Sequence, residues 1–458
     1  MFTDYSKILL SAFVFLIFLT SCNIGETTTT STTLEATTTT LHRVTTTIVI
    51  DKWFNNLIEP SCDSKLSLSN KKEWYKEAIF YHIWVKGFSD SDGDGIGDIK
   101  GIINKLDYLN DGKSETTNDL NIDAIWLSPI FECSYKGSNM HGYDTTDFYK
   151  INPLFGTESD IENLLTEAHK RGIKVIFDFV PNHISSSHAW FVNAKNGLDK
   201  KEWFIWDKEP STEWEAAWGG GNWRNVWAAS SNGEYYYAAF SNSMPDINFA
   251  NIDARSEIIK VLIYWLNKGF DGTRLDAIRY VFEDGPKKQA DVKNTHLYLK
   301  ELRKIVDKYD DLGSSKMMVG EVWTETEIIK DYYGNGKDEL NMCFDFPFAN
   351  IVYSAISSGN NGLLLLKNLF DYQKTNYPEG YHMANFLSNH DNVVSRPFSL
   401  YSGNIDKVNL STSLLLLSEG TPFIYYGNEI GMAGISGNDI NLRQPFLWDE
   451  VDKQKDNK

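Results

Sequence analysis

Lys174-Val-Ile-Phe-Asp178-Phe-Val-Pro-Asn182-His183 and, further on, Gly272-Thr-Arg274-Leu-Asp276 are short apolar runs that carry an aspartate at or just past their end. Short runs rich in β-formers and bounded by turn residues read as strands. Six more such runs stand at Ile79–Trp84, Ile122–Leu127, Met317–Gly320, Met342–Phe344, Met383–Leu387 and Phe423–Tyr426. Helix-like segments lie between them, among them Asp160–Arg171, Ala254–Asn267 and Val292–Tyr309. Strands alternating with helices predict a parallel sheet in an α/β fold. Eight of them favour a sheet closed on itself, a (β/α)8 TIM barrel.

One connection is too long for a βα loop. About 60 residues separate Asn182 from Met244, and they hold Trp190, Trp203, Trp206, Trp214, Trp218, Trp223 and Trp227. Long insertions in compact domains are usually functional. This one is expected to form a small subdomain over the mouth of the barrel, after the third strand.

Barrel chemistry gathers at the C-terminal ends of the strands. Asp178 closes the third strand, Asp276 follows the fourth, and Glu321 follows the fifth in Gly320-Glu321-Val-Trp323. Asp391 follows the seventh in Phe386-Leu-Ser-Asn389-His390-Asp391. Any one of these alone would read as a loop carboxylate. Converging, they would repel unless Arg274, His183 and His390 neutralise them.

These four segments, in this order, resemble the four main sequence regions of the α-amylase family of glycoside hydrolases. Met244-Pro-Asp246-Ile-Asn248 resembles the segment that closes the family's inserted domain B. The resemblance runs from about Trp74 to Trp448. It implies Asp276 as nucleophile, Glu321 as general acid and then base, and Asp391 as the residue that holds and distorts the sugar. It implies substrate-binding roles for Tyr143, Asp144, His183, Arg274 and His390. The reaction implied is retaining hydrolysis of α-glucosidic bonds. Ala277 after the nucleophile accompanies α-1,4 specificity in the family, where valine accompanies α-1,6. Met244-Pro-Asp-Ile-Asn is similar to the group between oligo-1,6-glucosidases and neopullulanases, which includes lipoprotein α-amylases. The alternatives are an exo-acting α-glucosidase, an oligo-1,6-glucosidase, or a non-catalytic glycan-binding or transporter-associated barrel. A pair between Arg443 and Asp144 would close the pocket and force exo action.

Asp90-Ser-Asp92-Gly-Asp94-Gly95-Ile96-Gly-Asp98 places carboxylates at positions 1, 3, 5 and 9, with glycine at 6. That oxygen-rich spacing suits Ca2+, with Ile96 offering its carbonyl. Residue 101 is glycine where an EF-hand needs glutamate, so the loop is not an EF-hand.

The formal charge of −18 argues against nucleic acid as a partner and is compatible with a neutral glucan or malto-oligosaccharide. Four cysteines without a CxxC pair disfavour a cysteine zinc site. The apolar run Ile8–Leu19 has twelve residues, short of the roughly 20 a spanning helix needs, and suits a secretory signal. Leu19-Thr20-Ser21-Cys22 resembles a bacterial lipobox. Residues 27–47 hold thirteen threonines and cannot bury enough surface to fold. The expected layout is a signal peptide with lipobox over 1–22 and a Thr-rich linker over 23–52. The catalytic barrel follows over 53–183 and 246–458, with domain B over 184–245. The expected location is extracytoplasmic, lipid-anchored at the membrane or otherwise secreted. The family's barrel is followed by a β-sandwich. Asp449–Lys458 is too short and polar to supply it, so the second barrel part is expected to be truncated.

Overall fold

The computed structural model describes residues 53–449, apart from 64, 69, 137–139, 218–225, 359 and 392–393. The segments expected to form the signal peptide, lipobox and linker, together with Trp218, Trp223 and residues 450–458, lie outside the described residues.

Eight strands form a closed barrel. They are β1 (Phe80–Ile83), β2 (Ala124–Leu127), β3 (Lys174–Phe179) and β4 (Gly272–Leu275). β5 (Met317–Gly320), β6 (Met342–Phe344), β7 (Met383–Phe386) and β8 (Thr421–Tyr425) complete it. Each pairs in parallel with its chain neighbours, and β8 returns to β1 in the register Phe80↔Phe423 and His82↔Tyr425. Four of the eight match the sequence reading residue for residue. β8 starts two residues earlier than read and stops one earlier.

The two faces of each strand separate by the period of two. Phe80, Trp126, Ile176, Val319, Phe344, Phe386 and Phe423 share one buried cluster inside the barrel. Their neighbours Tyr81, Ile125, Leu127, Val175 and Phe177 join the larger cluster that packs strands on helices. Inside, Phe80 stacks on Phe423 at 4.3 Å and His82 on Trp126 at 3.5 Å. Gly272 lets β4 and β5 approach, since a Cβ there would meet the Met317 carbonyl oxygen at 2.4 Å.

The covering helices follow from their caps and apolar stripes. α1 (Glu158–Lys170) opens on a capping box between Thr157 and Asp160 and buries Ile161, Leu164, Leu165 and Ala168. α2 (Ile252–Asn267) is capped by the Asn251 side chain. α3 (Lys293–Asp311) buries Tyr298, Leu299, Leu302 and Val306.

Between β3 and β4 the chain builds a three-stranded antiparallel sheet, with Tyr235–Tyr237 between Trp206–Asp207 and Trp227–Ala229. Trp214, Trp227 and Tyr237 form its core. Packing therefore occupies Trp214 and Trp227. The insertion is tied to the barrel where His183 bridges Asp246 and Asn182 Nδ2 donates to Asp246 Oδ2 at 2.8 Å. Cys62, Cys133 and Cys343 are free thiols.

Candidate active site

Polar side chains enter the barrel interior at the C-terminal ends of the strands. Arg274 on β4 is 1% exposed. Its Nη1 donates to Asp178 Oδ1 at 2.7 Å and to Asp276 Oδ1 at 2.6 Å. Its Nη2 pairs with Glu321 Oε1 at 3.0 Å. The guanidinium also lies 5.4 Å from the Trp126 ring centre and 5.7 Å from that of Tyr143. One cation thus gathers carboxylates from the ends of β3, β4 and β5.

Glu321 is held from a second side. Ala277 adopts the left-handed conformation, with φ +48°, and its N–H donates to Glu321 Oε2 at 3.0 Å. A β-branched residue would be strained at that φ. Tyr143 OH donates to Asp178 Oδ2 at 3.1 Å and contacts His390 Nε2. Asp391 lies 3.3 Å from both His390 Nε2 and Arg443 Nη2, and its own N–H donates to Asn389 Oδ1 at 2.9 Å.

Burial pushes Asp178 up to about 6, against the pull of Arg274. Burial also raises Asp276; Arg274 opposes it, and the charges of Glu321, Asp178 and Asp391 add to the rise. The histidines do not supply the expected neutralisation. Burial lowers His183 to about 3 and puts His390 well below its ordinary value, with Arg443 and Arg274 adding to the fall at His390. Both rings are therefore neutral near pH 7, and Arg274 carries the counter-charge for the β3–β5 carboxylates.

An open cleft of about 280 Å3 lies above this cluster. Asp276, Glu321, Asp391, Tyr143 and His183 line it. Arg274 and His390 are buried among the residues beneath. Asp144 does not line the cleft. It is 0% exposed, and its Oδ2 accepts the N–H groups of Ser134 and Tyr135 at 2.9 Å each. Its carboxyl satisfies a turn instead of facing sugar. Arg443 pairs with Asp391 and Asp439, and its Nε donates to the His390 carbonyl at 2.8 Å. The pair with Asp144 that would close the pocket is not formed; Arg443 is directed to Asp391 and Asp439 instead.

Residues 82–458 match the catalytic domain of the α-amylase family. The chain belongs to that family of glycoside hydrolases. It is 39% identical to Alpha-amylase 3 of Dictyoglomus thermophilum over 83% of this chain and 69% of that protein. It is 35% identical to an oligo-1,6-glucosidase of Bacillus cereus over 81% and 68%. The crystal structure of an α-amylase from H. orenii superposes with a TM-score of 0.71 at 38% identity, covering 81% of this chain and 73% of that one. The barrel is thus that of a glycosidase catalytic domain.

Asp178 was legible as a strand-end carboxylate, and Arg274 as a partner for the converging acids; the structure shows the pair at 2.7 Å. Phe240, Met244 and Asp439 also line the cleft. Met244 sat in a recognisable motif. Phe240 lies in a loop and Asp439 opens a single 3-10 turn (Asp439–Asn441), so no local pattern marked them.

The acidic loop after β1 brings Asp90, Asp92 and Asp98 together, with one carboxylate oxygen of each within 4.8 Å of the others. Asp98 is buried and is fixed by Ser91 Oγ at 2.8 Å and Gly101 N at 2.7 Å. This is a hard-oxygen set suited to a divalent cation. Asp94 is not among the clustered carboxylates; its Oδ1 accepts the Ile96 N–H at 2.7 Å.

Proposed function

We propose that this glycosidase hydrolyses α-1,4-glucosidic bonds of starch, maltodextrin or malto-oligosaccharides with retention of configuration. The observation that carries the reading is the bridging of Asp276 and Glu321 by one guanidinium, at 2.6 and 3.0 Å. Retaining glycosidases hold their two carboxyls about 5–5.5 Å apart, inverting ones about 6.5–9.5 Å apart. A shared guanidinium favours the closer arrangement.

Asp276 attacks the anomeric carbon while Glu321 protonates the departing glycosidic oxygen. The glycosyl–Asp276 ester is then cleaved by water, from which Glu321 takes a proton. Asp391, braced by Arg443, accepts hydrogen bonds from the sugar's hydroxyls, and Tyr143 offers the ring a stacking face. Small Ala277 leaves room beside the leaving sugar, which supports α-1,4 over α-1,6. Arg443 directed to Asp391 and Asp439 supports endo action.

The second reading is an exo-acting α-glucosidase or an oligo-1,6-glucosidase. The identity to the Bacillus cereus protein favours it. Products from a long maltodextrin decide between them: a ladder of oligosaccharides means endo, glucose alone means exo. Early product followed by NMR must be the α-anomer, and β-anomer would refute retention.

The Asp90, Asp92 and Asp98 carboxylates are assigned to Ca2+, which would pin the loop after β1 and play no part in bond cleavage. Cys22 is assigned as the lipid attachment point of an extracytoplasmic protein. Radiolabelled palmitate incorporation, lost in Cys22→Ser, is the expected result; label retained in that variant would refute it.

A further inference from the structure

The turn after β4 and the loop after β5 are stitched together by Arg279. Its Nη1 donates to the carbonyl oxygen of Trp323 at 2.5 Å. Trp323 is two residues past Glu321, and Arg279 is three past Asp276. The arginine is itself held in a fork: Nε reaches Asp291 Oδ1 at 2.9 Å and Nη2 reaches Asp291 Oδ2 at 2.6 Å. Tyr332 OH donates to the same Asp291 Oδ1 at 2.6 Å, and Asp291 N–H donates back to the Arg279 carbonyl at 3.1 Å. Trp323 is further packed flat on Phe346, with ring centres 5.4 Å apart.

A bidentate arginine fork is directional as well as charged, so it fixes position where a lysine would only attract. The loop bearing Glu321 is thus pinned at two points to the turn that follows Asp276. Ala277 N–H holds the carboxyl, and Arg279 holds the backbone two residues on.

We infer that Arg279, locked by Asp291, is a positioning residue that sets the Glu321 carboxyl against the glycosidic oxygen. It touches neither substrate nor reacting atoms. The inference rests on the reading of Glu321 as acid and base. Loss of the fork lets the Glu321 loop drift relative to Asp276, and a misplacement of ångström size costs on the order of 10²-fold in rate.

The test uses the full chain with two substrates, maltopentaose and α-maltosyl fluoride. The first needs a proton on its leaving oxygen; fluoride leaves with little help. Arg279→Met is expected to lower kcat on maltopentaose by about 10²-fold while leaving the fluoride much less affected. Asp291→Asn, which keeps the side-chain shape, is expected to show the same selectivity at smaller size. It decides the matter if Arg279→Met does not fold. Glu321→Gln is the control. If it lacks this leaving-group selectivity, the acid assignment itself fails. If it has the selectivity and the Arg279 and Asp291 variants lose both substrates equally, or neither, the positioning role is overturned.

Discussion

At the mouth of the barrel one buried guanidinium, Arg274, faces the carboxylates of Asp178, Asp276 and Glu321. At the opposite end, fully buried Asp271 accepts from His169 Nε2 and from Val175 N, each at 2.8 Å. Lys316, 3% exposed, and Lys174 add positive charge near it. Burial pushes Asp271 up, but His169, Lys316 and Lys174 outweigh it, and its carboxyl ends below the ordinary value. The mouth is over-supplied with acid, and two of its carboxyls are raised; the far end is matched. Barrel enzymes place chemistry at the first end and stability at the second. The charge balance of this chain follows that division: imbalance leaves groups reactive, whereas pairing leaves them inert.

The largest effect should come from the mouth. Asp276→Asn and Glu321→Gln are each expected to cut turnover on the order of 10⁴-fold or more. Melting temperature should hold or rise, because each change relieves acid crowding. Kinetics and thermal melts on the same samples check both halves. A melting loss would make these carboxylates structural and erase the contrast.

Asp271→Asn should do the reverse. It breaks the buried pair with His169 Nε2, at a cost of about 3–5 kcal/mol. Urea unfolding should register that loss while kcat of the folded enzyme stays within twofold or so of wild type. A large fall in kcat would show that the far end also serves the chemistry.

Asp246, at the junction with the inserted sheet, extends the comparison to pH. Burial holds its carboxyl up to about 7, against the hydrogen bonds from Ala239 N and Asn182 Nδ2. The folded state therefore binds a proton more readily than the unfolded state between the ordinary value of 3.8 and about 7. Stability is accordingly lost as pH rises across that window and stays lower above it. At 1.36 kcal/mol per pKa unit the span is up to about 4 kcal/mol. Denaturant melts from pH 4 to 8 should trace this slope, and Asp246→Asn should make it shallower; Glu283, pushed up to about 8 by burial and by Asp246, adds to it in the same window.

The smallest effect belongs to the loop after β1. Removing Ca2+ with EDTA should lower stability by about 2.7 kcal/mol for a site held at a hundred times its Kd. Asp98→Asn should abolish the EDTA response. An unchanged melting temperature in EDTA would refute the metal assignment.

The fold was legible because barrel strands advertise themselves locally. Lys174–Phe179 and Gly272–Leu275 are short, apolar and bounded by turn residues, and the structure returns them with the same limits. The carboxylates at their ends followed directly. Other readings failed where neighbours distant in the chain decide. Asp144 follows Tyr143 into the mouth by sequence, yet its carboxyl turns to the Ser134 and Tyr135 amides. His390 stands beside Asp391 in the chain and His183 lies five residues past Asp178, but burial leaves both neutral. The Arg279–Trp323 stitch joins two loops 44 residues apart, beyond the reach of any periodicity.

The succession of strands along the chain, the α-amylase-type motifs and the candidacy of Asp276, Glu321 and Asp391 were legible in sequence alone. Each rests on local periodicity or on short contiguous segments, and those survive in one dimension. Which oxygen meets which nitrogen was settled only in three dimensions, as were the charge state of each buried group and the direction of Arg443. Those depend on desolvation and on partners brought together by closing the barrel, and a linear chain carries neither.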